Sequence, residues 1–510
     1  MPKTSLHIGD VYALQERETG KWFTFQIIQI GEEWAVHVDL DYWSEKMPEE
    51  EDLKKMSYLR LNHHFLDNDI TYCWAQIKYF PSHAKLIGNM VVQPLEECRG
   101  YGPWTNGCQQ KMTEKWNQLP KEQVAAYKEA ATVPRQTVIV GGEKVPNSLY
   151  GLTDDTLNLV TDYSEFDKLP VLTRIVTAQE HPQLIPFLER RYVIRELVWE
   201  NCGREELDLS RTYLEELEIS GANLRTIYLP QSMKRVTLRG KLSPDLRILS
   251  PKDGYFLALQ IEMQDDFLPD VGLSRLTELR LSNIQEFSLQ GIPSRFPGLL
   301  WLGLEGKPGN IHDIDEIAKL HELEKLTMDD LFGFSRDEFP LPDSLPQLLI
   351  LRLNSIPVDV GKKVRKLYRD KVQELIVLKL RSDEWLHENL NNPLRHWDGS
   401  EFVPKSKYTK AVALWKDTRS RILEEAKRPD VAISDVKAIA IDYVEGFNKL
   451  DRRSQFIETE EREDIMNAFE QILDEAGLTE HKQEIIDVID EKIPHPQSPI
   501  PNPHPQFFIE

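Results

Sequence analysis

The sequence predicts an α+β chain of several domains: a small β-rich domain first, a solenoid of short repeats next, and a helical domain last. Three observations carry that reading. Tryptophans and β-branched residues crowd residues 1–131, an apolar motif recurs through residues 196–390, and apolar positions at helical spacing fill residues 391–492. A chain of 510 residues is also too long for one ordinary core.

The β-rich domain comes first. Six of the eleven tryptophans lie in it: Trp22, Trp34, Trp43, Trp74, Trp104 and Trp116. Segments 10–14, 22–30, 33–39 and 70–79 are rich in β-branched and aromatic residues, and Gly20, Gly31 and Asp67-Asn68-Asp69 punctuate them. This pattern predicts a twisted antiparallel sheet. A helix is expected over 112–131, interrupted at Leu119-Pro120. Residues 132–195 read as a connector and a cap for the repeats. Within them, Thr137–Val140 runs into Gly141-Gly142, but the third glycine and the lysine of a phosphate loop are missing.

The repeat unit is Leu-x-x-Leu-x-Leu. Copies start at Leu214, Leu224, Met233, Leu276, Leu299, Leu323, Leu348 and Leu375. The starts at 276, 299, 323 and 348 are 23, 24 and 25 residues apart, the spacing of a leucine-rich-repeat solenoid. The upstream starts at 214, 224 and 233 are only ten and nine apart, so two copies are expected to share one coil. In each unit the last two apolar residues alternate along a short strand and point inward. One repeat cannot bury them, so stacked repeats build a continuous apolar column beside a parallel sheet. The residues between them then form the concave binding face. The candidate partner-binding residues are Arg235, Arg239, Glu278, Arg280, Trp301, Glu305, Lys325, Asp329, Arg352 and Asn354, with an exposed Trp301 as hot spot.

Asn392-Pro393 and Gly399-Ser400 mark the next boundary. Helices are expected over 407–427, over 434–451 with Ser434 as N-cap, from a cap at Thr459, and over 479–491. Residues 493–510 form a proline-rich, extended tail.

Composition bounds the function. The chain is 40% apolar and 29% charged, and no apolar run reaches the eighteen or so residues of a membrane span. Its net charge of −22 argues against nucleic-acid or anionic-membrane binding, which need a basic surface. An acidic surface suits a basic protein partner. The opening Met1-Pro2-Lys3-Thr4-Ser5 is not followed by an apolar signal core, and Cys73, Cys98, Cys108 and Cys202 lack C-x-x-C spacing. Reduced thiols in a cytoplasmic protein are the expectation, with a Cys98–Cys108 bridge as the alternative.

Catalytic signals are sparse. There is no G-x-S-x-G elbow and no H-E-x-x-H. His63, His64, Asp67 and Asp69 form the best metal-like group, but adjacent strand histidines point apart, so a solvated turn is expected and neither metal nor cofactor is assigned.

Three parts of the chain resemble known families. The repeats beside a helical domain are similar to bacterial leucine-rich-repeat ubiquitin ligases. That likeness ends at the solenoid, because their catalytic cysteine follows the repeats and the last cysteine here is Cys202. The stretch Ile8-Gly9-Asp10-Val11-Tyr12-Ala13-Leu14, with Leu86-Ile87-Gly88, resembles bacterial polymorphic-toxin immunity proteins of family twenty-six. Tyr443–Arg453 and Phe456–Glu463 resemble the tail of bacterial repeat proteins labelled gliding-motility proteins. Together these imply a non-catalytic, protein-binding bacterial protein, most sharply an immunity protein that sequesters a toxin such as a basic toxin domain. The alternatives are a signalling or defence scaffold, or an enzyme with its site in the N-terminal domain around His63, His64, Asp67, Asp69 and Tyr72.

Overall fold

The computed structural model describes residues 6–93, 100–131, 136–400, 402–428, 431–452 and 455–493. The chain divides into two compact units, Met1–Leu380 and Arg381–Glu510. The first unit opens with five antiparallel strands: β1 (Asp10–Gln15), β2 (Trp22–Ile30), β3 (Trp34–Ser44), β4 (Tyr72–Gln76) and β5 (Lys85–Asn89). Their order is β4-β3-β2-β1-β5. Both faces are covered, because apolar residues occupy both parities of the strands. Val11, Ile28, Val36, Val38 and Leu40 pack on one side, and Tyr12, Phe23, Phe25 and Ile27 pack with Trp104 on the other.

Helices α1 (Cys108–Asn117) and α2 (Lys121–Ala131) follow. The break falls at Pro120, whose ring fits a helix start but not a helix interior. Trp116, Tyr127 and Ala130 of these helices form a small core with Val171. The hairpin β6 (Thr137–Val140) and β7 (Glu143–Pro146) comes next. Cys98 lies outside the described residues, and with it the proposed Cys98–Cys108 bridge.

The solenoid is one eleven-stranded sheet, ordered β21-β20-β19-β18-β17-β16-β14-β12-β10-β9-β8. Its strands are β8 (Gly151–Leu152), β9 (Arg174–Thr177), β10 (Glu196–Trp199), β12 (Glu216–Ser220), β14 (Arg235–Arg239) and β16 (Ala258–Glu262), then β17 (Glu278–Ser288), β18 (Trp301–His312), β19 (Lys325–Phe332), β20 (Ile350–Asn354) and β21 (Glu374–Leu378). All pair in parallel. Residues 151–177, read from sequence as connector and cap, supply the first two strands. The register lines up Leu217, Val236, Leu259, Leu279, Leu302, Leu326, Leu351 and Leu375 as one inward column. All but Leu375 are essentially fully buried, and each full burial contributes roughly 1.5–3 kcal/mol.

The closely spaced upstream copies have a simple explanation. Strands β11 (Glu206–Asp208), β13 (Thr226–Tyr228) and β15 (Arg247–Leu249) form a second, three-stranded parallel sheet. The copy starting at Leu224 belongs to this second wall, with Ile227 in its buried row beside Leu207 and Ile248. One coil therefore carries two strands, and consecutive motifs alternate between walls.

The register of the last copy differs from the one expected from Leu375-x-x-Leu378-x-Leu380. Leu375 pairs with Leu351 and Val377 with Leu353, while Leu378 is 54% exposed. The coil reads Val372-x-x-Leu375-x-Val377, a motif whose first and last residues are not leucine. Helix α6 (Val358–Tyr368) packs beside strand β21. Leu380 lies so close to Gly361 on that helix that any added Cβ would clash with its methyl group. Two further copies, around Leu197 with Trp199 and around Leu259 with Ile261, escape the motif because an aromatic residue, Trp199 or Phe256, takes one of its apolar positions.

The second unit is helical: α7 (Asp383–Asn389), α8 (Lys405–Ala426), α9 (Ile433–Asp451), α10 (Thr459–Glu475) and α11 (Lys482–Lys492), after the short α3 (Asp154–Leu157), α4 (Leu184–Arg190) and α5 (Ile292–Arg295) upstream. Its core joins Trp415 and Ile422 to Ile439, Tyr443, Phe447, Ile465, Phe469 and Ile489. Two caps differ from expectation. Ala432 rather than Ser434 precedes α9, and Glu458 rather than Thr459 caps α10 through a reciprocal box with Glu461. A glutamate can accept from the helix N–H groups as a hydroxyl does, and its charge favours the positive helix end. The described residues end at Ile493, so the proline-rich tail lies outside them.

Candidate functional site

Along each solenoid strand the leucines point into the core and the alternate residues form the outer face of the sheet. Pairing sets those residues in rows. The first runs Glu216, Arg235, Ala258, Glu278, Trp301, Lys325, Ile350, Glu374. The second passes through Thr237, Gln260, Arg280, Gly303, Thr327 and Arg352. A third contains Glu305, Asp329 and Asn354.

The ten residues singled out from sequence fall into three places. Arg235 and Arg239 pair with neighbours on the previous strand, Glu216 at 3.4 Å and Glu218 at 3.2 Å. At the strand ends, Asn354 donates to both carboxylate oxygens of Asp329 at 2.9 and 3.1 Å. Burial, joined by the charge of Asp330, raises the pKa of Asp329, and burial with Asp329 and Asp330 raises that of Glu305.

The third place is a tight cluster on Trp301. The Arg280 guanidinium carbon lies 3.7 Å from the centre of the indole ring and the Lys325 Nζ 3.3 Å from it. Both are within cation–π range. Trp301 is half-buried, flanked by two cations rather than standing exposed. Gly303 makes room: a Cβ there would press on Arg280 and Thr327 at 3.2 Å. Arg280 is held by Glu278 at 2.6 Å and Arg352 by Glu374 at 2.5 Å. Burial lowers the Lys325 pKa, helped by the charges of Arg352 and Arg280.

Sequence reasoning missed what stands beside this face. The β-rich domain contacts the strand starts of the solenoid from its first coils to its last. Arg195, just before β10, donates to His64. Glu215, just before β12, takes Lys115 from α1 and its own neighbour Lys234. Those two lysines overcome the effect of burial and hold its carboxyl at about 2. Glu324, just before β19, pairs with Arg17 at 3.0 Å. The Tyr79 hydroxyl donates to Glu374 at 2.9 Å. Each contact joins residues about 100 to more than 300 positions apart, so no local sequence signal marks it.

The histidine pair belongs to this seam. His63 and His64 approach through their Nδ1 atoms at 3.0 Å, and His64 stacks on Trp116. Burial, with the Arg195 charge, pushes the His64 pKa down to about 3. A small recess there is lined by His64, Trp116, Tyr127, Tyr192 and Arg195. Asp67 and Asp69 instead close an exposed turn, and Tyr72 packs edge-on against Tyr58. Among the described residues no group of three or more His, Cys, Asp or Glu is placed to hold a metal ion. No helix among them is long and apolar enough to cross a membrane.

No protein-family model matches the chain, and no curated protein does. Solved structures do. Internalin C2 of Listeria monocytogenes is 18% identical, over 47% of this chain and 86% of that one, with a TM-score of 0.20. A leucine-rich-repeat protein of Leptospira interrogans is 13% identical, over 45% and 93%, with a TM-score of 0.16. The leucine-rich-repeat ectodomain of a plant membrane receptor kinase from Arabidopsis thaliana, solved in complex with Casparian strip integrity factor 2, is 16% identical over 42% and 33%, with a TM-score of 0.17.

Proposed function

We propose that the chain is a protein-binding scaffold that receives its partner on the outer face of the leucine-rich-repeat sheet. The carrying observation is the Trp301 cluster. A large aromatic ring is set on a solvent-side row, flanked by Arg280 and Lys325, at the centre of β17–β20. Aromatic and arginine side chains of this kind carry most of the energy of protein interfaces. The β-rich domain adjoins this face through Arg17 on Glu324 and Tyr79 on Glu374.

The sharper reading is a bacterial immunity protein that sequesters a toxin. Its support is the N-terminal resemblance and the net charge of −22, which would speed encounter with a basic toxin domain. Such a protein works in the cytoplasm, without cofactor or catalysis.

The test is capture of partners from the source cell by the full chain, repeated with Trp301→Ala and Arg352→Glu. The reading expects the partner to be lost with at least one variant. Unchanged capture by both overturns it.

A further inference from the structure

The chain is strongly acidic, yet its sheet face holds a local excess of positive charge. Around Trp301 stand Arg280, Lys325 and Arg352, and the neighbouring β-rich domain adds Arg17 and Lys78. Glu278, Glu324 and Glu374 answer Arg280, Arg17 and Arg352, each in a pair of 2.5–3.0 Å. Lys325 has no ion pair among the described residues, and Lys78 lies 4.6 Å over the ring of Tyr79. Lys325 is half-buried and near two guanidinium groups, which penalise its charge by more than the nearby Glu278 and Glu374 favour it. The indole beneath it compensates in part. An incoming anion would relieve the rest, by accepting from an ammonium with three donors beside two arginine forks.

We propose that Lys325 and Trp301, bounded by Arg280, Arg352 and the Lys78–Tyr79 segment, dock a carboxylate of an acidic peptide segment on the bound partner. This rests on the reading that the sheet face receives a partner, and names the group it receives there. A partner that is basic overall fits as well, since only one acidic segment is needed at this point. Arg235 and Arg239, farther along the same face, are each answered by a glutamate.

The full-length chain is titrated into a fluorescently labelled dodecapeptide of alternating Asp and Gly, with Ser/Gly and Lys/Gly peptides of the same length as controls. The acidic peptide binds and the controls do not, and affinity falls with added salt. Lys325→Gln weakens it at least about tenfold, the loss of one charge-assisted hydrogen bond, while Lys325→Arg stays close to wild type. Thermal melts of both variants confirm that the fold is kept. All three peptides are amidated at the C-terminus, so that only side-chain carboxylates are offered. Equal binding of acidic and Ser/Gly peptides, or wild-type affinity in Lys325→Gln, overturns it. Asp329→Lys, on the same face but outside the cluster, keeps the two proposals apart. If it loses the cellular partner while Lys325→Gln still binds the acidic peptide normally, only the carboxylate site falls. If Asp329→Lys, Trp301→Ala and Arg352→Glu all keep the partner, the face itself falls.

Discussion

The Tyr79 hydroxyl donates to the Glu374 carboxylate at 2.9 Å, joining the β-rich domain to the last strand of the solenoid across 295 residues of sequence. Glu374 also holds Arg352, and these two bonds outweigh the effect of burial and keep its carboxyl below the usual range. The domain is thus tied to the last strand here and to the start of β10 at His64–Arg195.

Removing the Tyr79 hydroxyl leaves Glu374 with Arg352 as partner. Tyr79→Phe should therefore cost about 0.5–1.5 kcal/mol, the net worth of one hydrogen bond. Urea unfolding measures the loss, and hydrogen exchange should show faster opening of β21 with little change at β12.

Glu215 is a stronger tie, because its side chain is only 9% exposed and meets two lysines. Glu215→Gln should destabilise by about 1.5–3 kcal/mol at pH 7. The folded carboxyl titrates at about 2, below its unfolded value. Its stabilisation is therefore present above the unfolded value and lost as pH falls towards 2. The wild-type advantage over the variant, followed from pH 7 to pH 3 by chemical denaturation, should shrink.

His64 gives a separate acid response. Its folded pKa of about 3 lies below the ordinary 6.5, so below pH 6.5 the unfolded chain takes up a proton that the folded chain refuses. Stability is lost as pH falls from about 6.5 towards 3, by at most about 1.4 kcal/mol per pH unit. Buried His37 acts in the same direction, and Asp39, raised to about 7, acts in the opposite one. The comparison of wild type with His64→Gln isolates the effect: the variant should show a flatter slope between pH 6 and pH 4. Equal slopes would place His64 outside this seam.

The register of the last coil is testable with paired truncations. Leu326→Ala, in the middle of the buried column, should cost about 2–5 kcal/mol. Leu378→Ala should cost less than about 0.5 kcal/mol because the side chain faces solvent. The register read from the motif alone predicts a large loss at Leu378.

The sequence by itself determined the repeats, the aromatic sheet before them and the helices after them. Each is a local signal: leucines at 276, 299, 323 and 348, runs of β-branched and aromatic residues in β1–β3, and helical spacing in α8–α10. It also placed Arg280, Trp301, Lys325 and Arg352 on one face, since alternation along a strand is a matter of parity. Only the tertiary structure decided the rest. The second wall of β11, β13 and β15 gave meaning to the nine- and ten-residue spacings, and the pairing of β21 with β20 showed the final register. The seating of the β-rich domain was invisible for a physical reason. Arg17–Glu324, Lys115–Glu215 and Tyr79–Glu374 are single polar contacts between distant segments, and charged residues look alike in sequence whether they face water or one another.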